Sequence, residues 1–279
     1  MHFAVDELAA LAAEARERDM HIASLHGPCP VKTNERGERE RWTDSLSSTN
    51  EAERRVAIEA IKRSVDAAVE VGARAIVVHM GNTGVASRQG TIFETIERFG
   101  RLSDEHRRLR DQAWSEREAR KAPHVAAGLK SIRELGEYAL GSGVQLGVEC
   151  RDGYHEVPSL DEFAEVFAAT AGLPVGYWHD AGHGAKLDYA GFLEHEELLR
   201  RYGDRLVGMH VHDTRGPRDH LAPGMGGTDF GMLAKYLGPT TIKTLEIIRT
   251  VSAKQISQGL EVLEQDARFG VREGILIEL

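Results

Sequence analysis

Residues Val144–His183 read VQLGVECRDGYHEVPSLDEFAEVFAATAGLPVGYWHDAGH, and this stretch decides the fold. It opens on one short apolar run, VQLGVE, and closes on another, VGYWHD. Between them Ser159–Ala171 carries apolar residues at helical spacing behind a serine suited to cap the helix, and Gly172 stands where the helix must stop. Strand, helix, strand in this order builds parallel strands covered by a helix. The same alternation recurs on both sides. Further strands are predicted at His21–His26, Ala75–His79, Leu206–His212 and Ile242–Ile248. Helices are predicted at about Asp6–Arg18, Asn50–Val71, Ala126–Leu140, Tyr189–Tyr202, Thr228–Leu237 and Ser252–Gln265. No linker or repeat marks a boundary, so residues 1–279 read as a single α/β domain.

Composition narrows the function classes. The chain has 279 residues, 41% apolar and 28% charged, which excludes disorder. No apolar run approaches the roughly 20 residues of a membrane helix, and the acid-bearing first residues do not read as a secretion signal. Cys29 and Cys150 are too few for a disulfide scaffold, so cytoplasm is the expected compartment. The net charge of −9 disfavours nucleic acid as a partner. One segment breaks the rhythm: Gly84–His124, whose centre RLSDEHRRLRDQAWSEREARK reads as a charged helical insertion. A solvated helical face is the preferred reading, with a lid or subunit contact as the functional one.

Every predicted strand finishes on a titratable or metal-capable side chain: His26, His79, Glu149, His179 with Asp180, His210 with His212 and Asp213, and Glu246. In parallel α/β folds the C-terminal strand ends form the active site. Burying that many carboxylates and imidazoles without a cation is costly, and a divalent metal removes the difficulty. Glu149, Asp180, His210 and Glu246 sit at corresponding depths and would converge. Three carboxylates and one imidazole suit Mn²⁺ first, then Mg²⁺, with Co²⁺ or Zn²⁺ acceptable. His183 is placed in the loop three residues past Asp180, where it would either support the ligands from behind or contact substrate. His179 and His212 are expected on the opposite face from the ligands, with an exception allowed for His212 at the strand end.

The loop Arg215–Phe230, RGPRDHLAPGMGGTDF, holds glycines and a proline that let backbone approach a ligand. It reads as active-site wall, with Arg151, Arg215 and His220 as candidates for substrate oxygens or a phosphate. His26, His79, His183 and His212 join them as the expected substrate-binding set. There is no GxGxxG, P-loop or nucleophile elbow, so no nucleotide cofactor is expected.

The stretches SLHGP, VVHMG, LGVECR, VGYWHDAGH, LVGMHVHD, HLAPGMGGTDF and TLEI, in this order, resemble the sugar phosphate isomerase/epimerase superfamily. These are the xylose-isomerase-like TIM barrels, which also include metal-dependent apurinic endonucleases. The resemblance implies a (β/α) barrel with a metal on Glu149, Asp180, His210 and Glu246. It implies too that Glu149 and Glu246 act as the acid–base pair and that His183 and Arg151 contact substrate. The start of the chain resembles a segment that normally follows the first strand–helix unit, with His2–Phe3 as a strand tail. The barrel is therefore expected to lack that unit, and its open strand edges would admit a homo-oligomer. In the endonuclease branch, three zinc ions would match His26, His79, Glu149, Asp180, His183, His210, His220 and Glu246 in type. That pattern wants an aspartate where this chain has Arg218, with Asp219 shifted by one.

The expected activity is a divalent-metal-dependent isomerase or epimerase of a small ketose, sugar phosphate or related hydroxy-ketone, working through an enediolate. A zinc-dependent phosphodiesterase and a metal-dependent dehydratase or lyase of a cyclic polyol ketone stay open beside it.

Overall fold

Seven strands lie side by side in parallel in this computed structural model, which describes residues 3–32, 45–270 and 276–278. They are β1 (Ser24–His26), β2 (Ala75–Val78), β3 (Gln145–Glu149), β4 (Val175–Asp180), β5 (Leu206–Val211), β8 (Ile242–Glu246) and β9 (Leu276–Glu278). Between β5 and β8 the chain makes an antiparallel hairpin, β6 (Asp213–Arg215) with β7 (Arg218–Leu221). The order β1-β2-β3-β4-β5-β8-β9 curls into a nearly closed TIM-type barrel, with β1 and β9 as its edges among the described residues. Phe3 is irregular, its carbonyl accepting from the Val31 amide at 2.8 Å, while His2 lies outside the described residues.

The helices are α1 (Val5–Glu17), α2 (Glu51–Val71), α3 (Gln89–Phe99), α4 (Asp104–Ala139), α5 (Glu162–Ala169), α6 (Ala181–Tyr189), α7 (His195–Tyr202), α8 (Phe230–Ala234) and α9 (Ala253–Leu263). Local chemistry sets their ends. Asn50 caps α2 by accepting from the Ala52 amide, and Gly72 ends it in the left-handed region that glycine reaches without strain. Ile58, Ile61 and Val65 of α2 pack with Ile76 and Val78 of β2 and with Ile132 and Leu135 of α4 in the main core.

Three expectations change. The Gly84–His124 insertion is helical, but it is not merely a solvated face. It forms α3 and most of the 36-residue α4, and Ile92, Ile96 and Ala113 build a second small core with Tyr154 and Ala190. Arg117 of α4 is fully buried against Glu162, with both oxygens of that carboxylate 2.7 Å away. The Tyr189–Tyr202 helix is broken, because Gly191 takes a positive φ between α6 and α7. The hairpin β6–β7 and the strand β9 add to the six strands read from periodicity.

The barrel floor explains two glycines. Trp178 points inward with Ala75, Val77 and Ile242. A Cβ on Gly208 would lie 2.2 Å from its ring and one on Gly147 2.8 Å, so LGVE and VGMH must carry glycine there. The Trp178 ring then underlies His210, centroid to centroid 5.1 Å.

Candidate metal centre

Alternation along each strand puts Glu149, Asp180, His210 and Glu246 on the inner face above Trp178. Asp180 and His210 are direct neighbours across the β4–β5 pair. Three carboxylates converge on one imidazole nitrogen: His210 Nδ1 lies 2.7 Å from Glu149 Oε1, 3.1 Å from Glu246 Oε2 and 3.3 Å from Asp180 Oδ2. A single N–H cannot serve three acceptors. Glu149 Oε1 and Asp180 Oδ2 are buried and accept no hydrogen bond of sound geometry among the described residues. One ligand atom from each of the four side chains lies within 4.8 Å of the others. The donor set of carboxylate oxygens with one imidazole, and its buried oxygens lacking donors, fit a divalent cation.

Electrostatics follows from this crowding. Burial works to raise the Glu149 and Asp180 carboxyls, but the surrounding histidines outweigh it and hold both well below the usual carboxylate range. Burial opposes a charge on His210, yet Glu246 and Glu149 overcome it and push its pKa well up. Glu246 is likewise held low against its burial, by His210 and His220.

A second group shares Glu149. His79 Nε2 is 2.6 Å and Arg151 Nη1 2.7 Å from its outer oxygen, Oε2. The His26 ring meets His79 edge-on at 4.5 Å, and His26, His79 and Glu149 offer atoms within 4.8 Å of one another. Arg151 reaches on to Glu156 at 2.9 Å.

A third group forms on the other side. Asp180 Oδ1 accepts from the His183 amide at 2.7 Å and so caps α6, which makes the DAGH segment the start of a helix rather than a loop. His183 Nδ1 lies 2.9 Å from the Cys150 carbonyl, so that nitrogen donates and Nε2 is left for a ligand. His212 stands two residues beyond His210 and shares its inner face, the exception allowed for it at the strand end. The His220 amide donates to His212 Nδ1 at 2.8 Å, which fixes the proton on Nε2, 3.0 Å from Asp180 Oδ1. A Cβ on Gly182 would meet the His212 ring at 2.1 Å, so this position must be glycine. His220 takes a positive φ of 55° and stacks on His212 at 4.4 Å. Burial opposes its charge, but Asp219 and Glu246 raise its pKa to about 10. His183, Asp219 and His220 also gather within 4.8 Å, so the one-residue shift from Arg218 does not keep Asp219 away.

The structure thus brings together Glu149, Asp180, His210, Glu246, His26, His79, Arg151, His183, His212 and His220. Arg215 is not among them: it is exposed at the hairpin, 2.6 Å from the Met225 carbonyl. His179 turns outward, buried against Tyr177 and His195. Asp213, expected only as one of the strand-end groups, is a buried carboxylate that accepts four amides, from Thr214, Gly224, Gly226 and Thr228, and so shapes the glycine-rich wall. Sequence reading missed Lys186, which pairs with Asp152 and Asp219.

Comparisons place this geometry among known proteins. A curated relative, y4fM of Sinorhizobium fredii, is 25% identical over 198 residues, 71% of this chain. The chain spans about half the length of that relative, 53%. Among solved structures, a D-tagatose 3-epimerase-like protein aligns over 97% of this chain and 85% of its own, with TM-score 0.62 and 16% identity. The 3-keto-D-glucoside 4-epimerase of E. coli aligns over 94% and 85%, with TM-score 0.62 and 17% identity. A Thermus thermophilus protein, TTHB071, soaked with ZnCl2, aligns over 95% and 84%, with TM-score 0.55 and 21% identity. At these identities the structural likeness speaks for the fold. The sequence pattern of one family matches residues 1–266, and the chain belongs to it: the xylose isomerase-like TIM barrel family.

Proposed function

We propose that the protein is a divalent-metal-dependent isomerase or epimerase of a small ketose, sugar phosphate or related hydroxy-ketone. The observation that carries this is the division of labour within each glutamate. Glu149 turns Oε1 toward His210 and Oε2 toward His79 and Arg151. Glu246 turns Oε2 toward His210 and Oε1 toward His220. Each carboxylate thus keeps an inner oxygen for a cation and an outer oxygen for a proton. The two come from β3 and β8, on either side of the β4–β5 pair, so they can flank a planar substrate.

Glu149, Asp180, His210 and Glu246 would hold the ion, Mn²⁺ suiting the oxygen-rich set best. Such an ion would supply a Lewis acid able to polarise a carbonyl and offset developing negative charge. Glu246, 27% exposed against 1% for Glu149, removes the proton from the carbon beside the carbonyl, and Glu149 returns one. Arg151, His183, His220, His26 and His79 bind substrate oxygens, with the buried His212 stacked behind His220. The sugar epimerases among the structural neighbours support the same substrate class.

The test is mass-resolved screening of metal-loaded protein in deuterated water against ketoses, keto-glycosides, inosose-like ketones and hydroxypyruvate. A mass-neutral product carrying solvent deuterium is expected, with Glu246→Gln lowering the exchange by about 10²–10⁴-fold. Turnover untouched by chelators would refute the proposal, and loss of water would point to a dehydratase. A second reading, a zinc phosphodiesterase, is favoured by three further ligand groups beside the central four residues: His26–His79–Glu149, Asp180–His212–His220–Glu246 and His183–Asp219–His220. Cleavage of abasic DNA by the zinc-loaded chain would establish it.

A further inference from the structure

Lys186 projects from α6 three residues after His183, so the two side chains share a helix face. Its side chain is 11% exposed, and its ammonium lies 2.9 Å from Asp219 Oδ2 and 2.5 Å from Asp152 Oδ2. The other oxygen of Asp219, Oδ1, is 3.1 Å from His220 Nδ1. His220 in turn directs Nε2 toward Glu246 Oε1, at 3.4 Å. In the group His183–Asp219–His220, therefore, both oxygens of the aspartate and both ring nitrogens of His220 face partners. His183 offers Nε2 alone. A metal ion entering this group would have to displace an ammonium that already neutralises its only carboxylate, or sit beside it against like-charge repulsion.

We infer that Lys186 is a built-in cation that withholds Asp219 from metal and so closes the His183–Asp219–His220 group to an ion. The inference rests on reading the strand-end cluster as a metal centre. Burial alone would strip Lys186 of its charge, but Asp152 and Asp219 outweigh it and keep the ammonium charged. The consequence is specific to this chain. Residues of the right type for a third ion are gathered, and one lysine a helical turn from His183 cancels them.

The experiment counts metal. Full-length protein is stripped with chelator, reloaded with excess ZnCl2, desalted, and its zinc measured by plasma mass spectrometry. Lys186→Met is expected to hold one zinc ion per chain more than wild type. Lys186→Arg, which keeps the charge, retains the wild-type count. Lys186→Met combined with Asp219→Asn loses the added ion, which locates the gain. A wild-type zinc count that Asp219→Asn alone lowers overturns the inference, because Asp219 would then already hold an ion. So does an unchanged count in Lys186→Met. Should that variant fail to fold, Lys186→Gln, which still hydrogen-bonds without the charge, gives the same readout. A wild-type chain that binds no zinc at all refutes the proposed function, whereas the difference between wild type and variant judges Lys186.

Discussion

Two carboxylate clusters sit side by side at the mouth of this barrel and solve the same problem differently. In Asp152–Lys186–Asp219 the chain supplies its own cation, and the aspartates remain 31% and 18% exposed. In Glu149–Asp180–His210–Glu246 the inward oxygens face a single imidazole nitrogen among the described residues, with Glu149 and Asp180 essentially excluded from water. The first cluster is a finished ion pair. The second holds more negative charge than its own histidine can balance, and that imbalance is what a divalent ion would relieve.

The largest expected effect breaks this comparison directly. In chelator-treated protein, His210→Ala leaves buried carboxylates uncompensated and should cost about 3–5 kcal/mol in urea unfolding. Lys186→Met, acting on partly solvated partners, should cost only about 1 kcal/mol. Equal costs would mean that the two clusters are alike. Next in size, adding Mn²⁺ or Zn²⁺ at 100 times its dissociation constant should stabilise wild type by about 2.7 kcal/mol and leave His210→Ala unmoved. A calorimetric scan with and without the ion reads this, and stabilisation surviving in His210→Ala would place the ion elsewhere.

The smallest effect concerns the layer behind Asp180, where two imidazoles are kept neutral by burial rather than matched with charge. His179 and His195 approach at 3.0 Å, and burial pushes His195 down to about 4. The folded state then refuses a proton that the unfolded chain takes up below about 6.5. Stability conferred above pH 6.5 is lost as the pH falls toward 4. His195→Asn should make that decline shallower by about one proton, ~1.4 kcal/mol per pH unit. An unchanged slope would assign the acid sensitivity to other groups.

Much of the fold was legible because period-2 and helical periodicities are local. LGVE, GYWHD and VGMHVHD announce strands, and their terminal residues announce what the barrel mouth contains. The departures have local causes that need context to see. Asp180 could be read as a strand-end ligand, but its second role as cap of α6 depends on the chain turning directly into a helix. The insertion looked solvated because arginines and glutamates dominate it, while its inner face buries Ile92, Ile96 and Arg117. Arg215 looked like a substrate contact by neighbourhood, yet the hairpin carries it outward.

The sequence by itself determined the alternation of strand and helix, the acidic balance, and which side chains stand at the strand ends. Backbone sterics and hydrophobic periodicity act within a few residues, so these needed no partner. Only the tertiary structure decided which oxygen of each glutamate faces His210 and that Lys186 lies between Asp152 and Asp219. Those relations join residues far apart in the chain, and they depend on sheet register and barrel curvature, which no local pattern encodes.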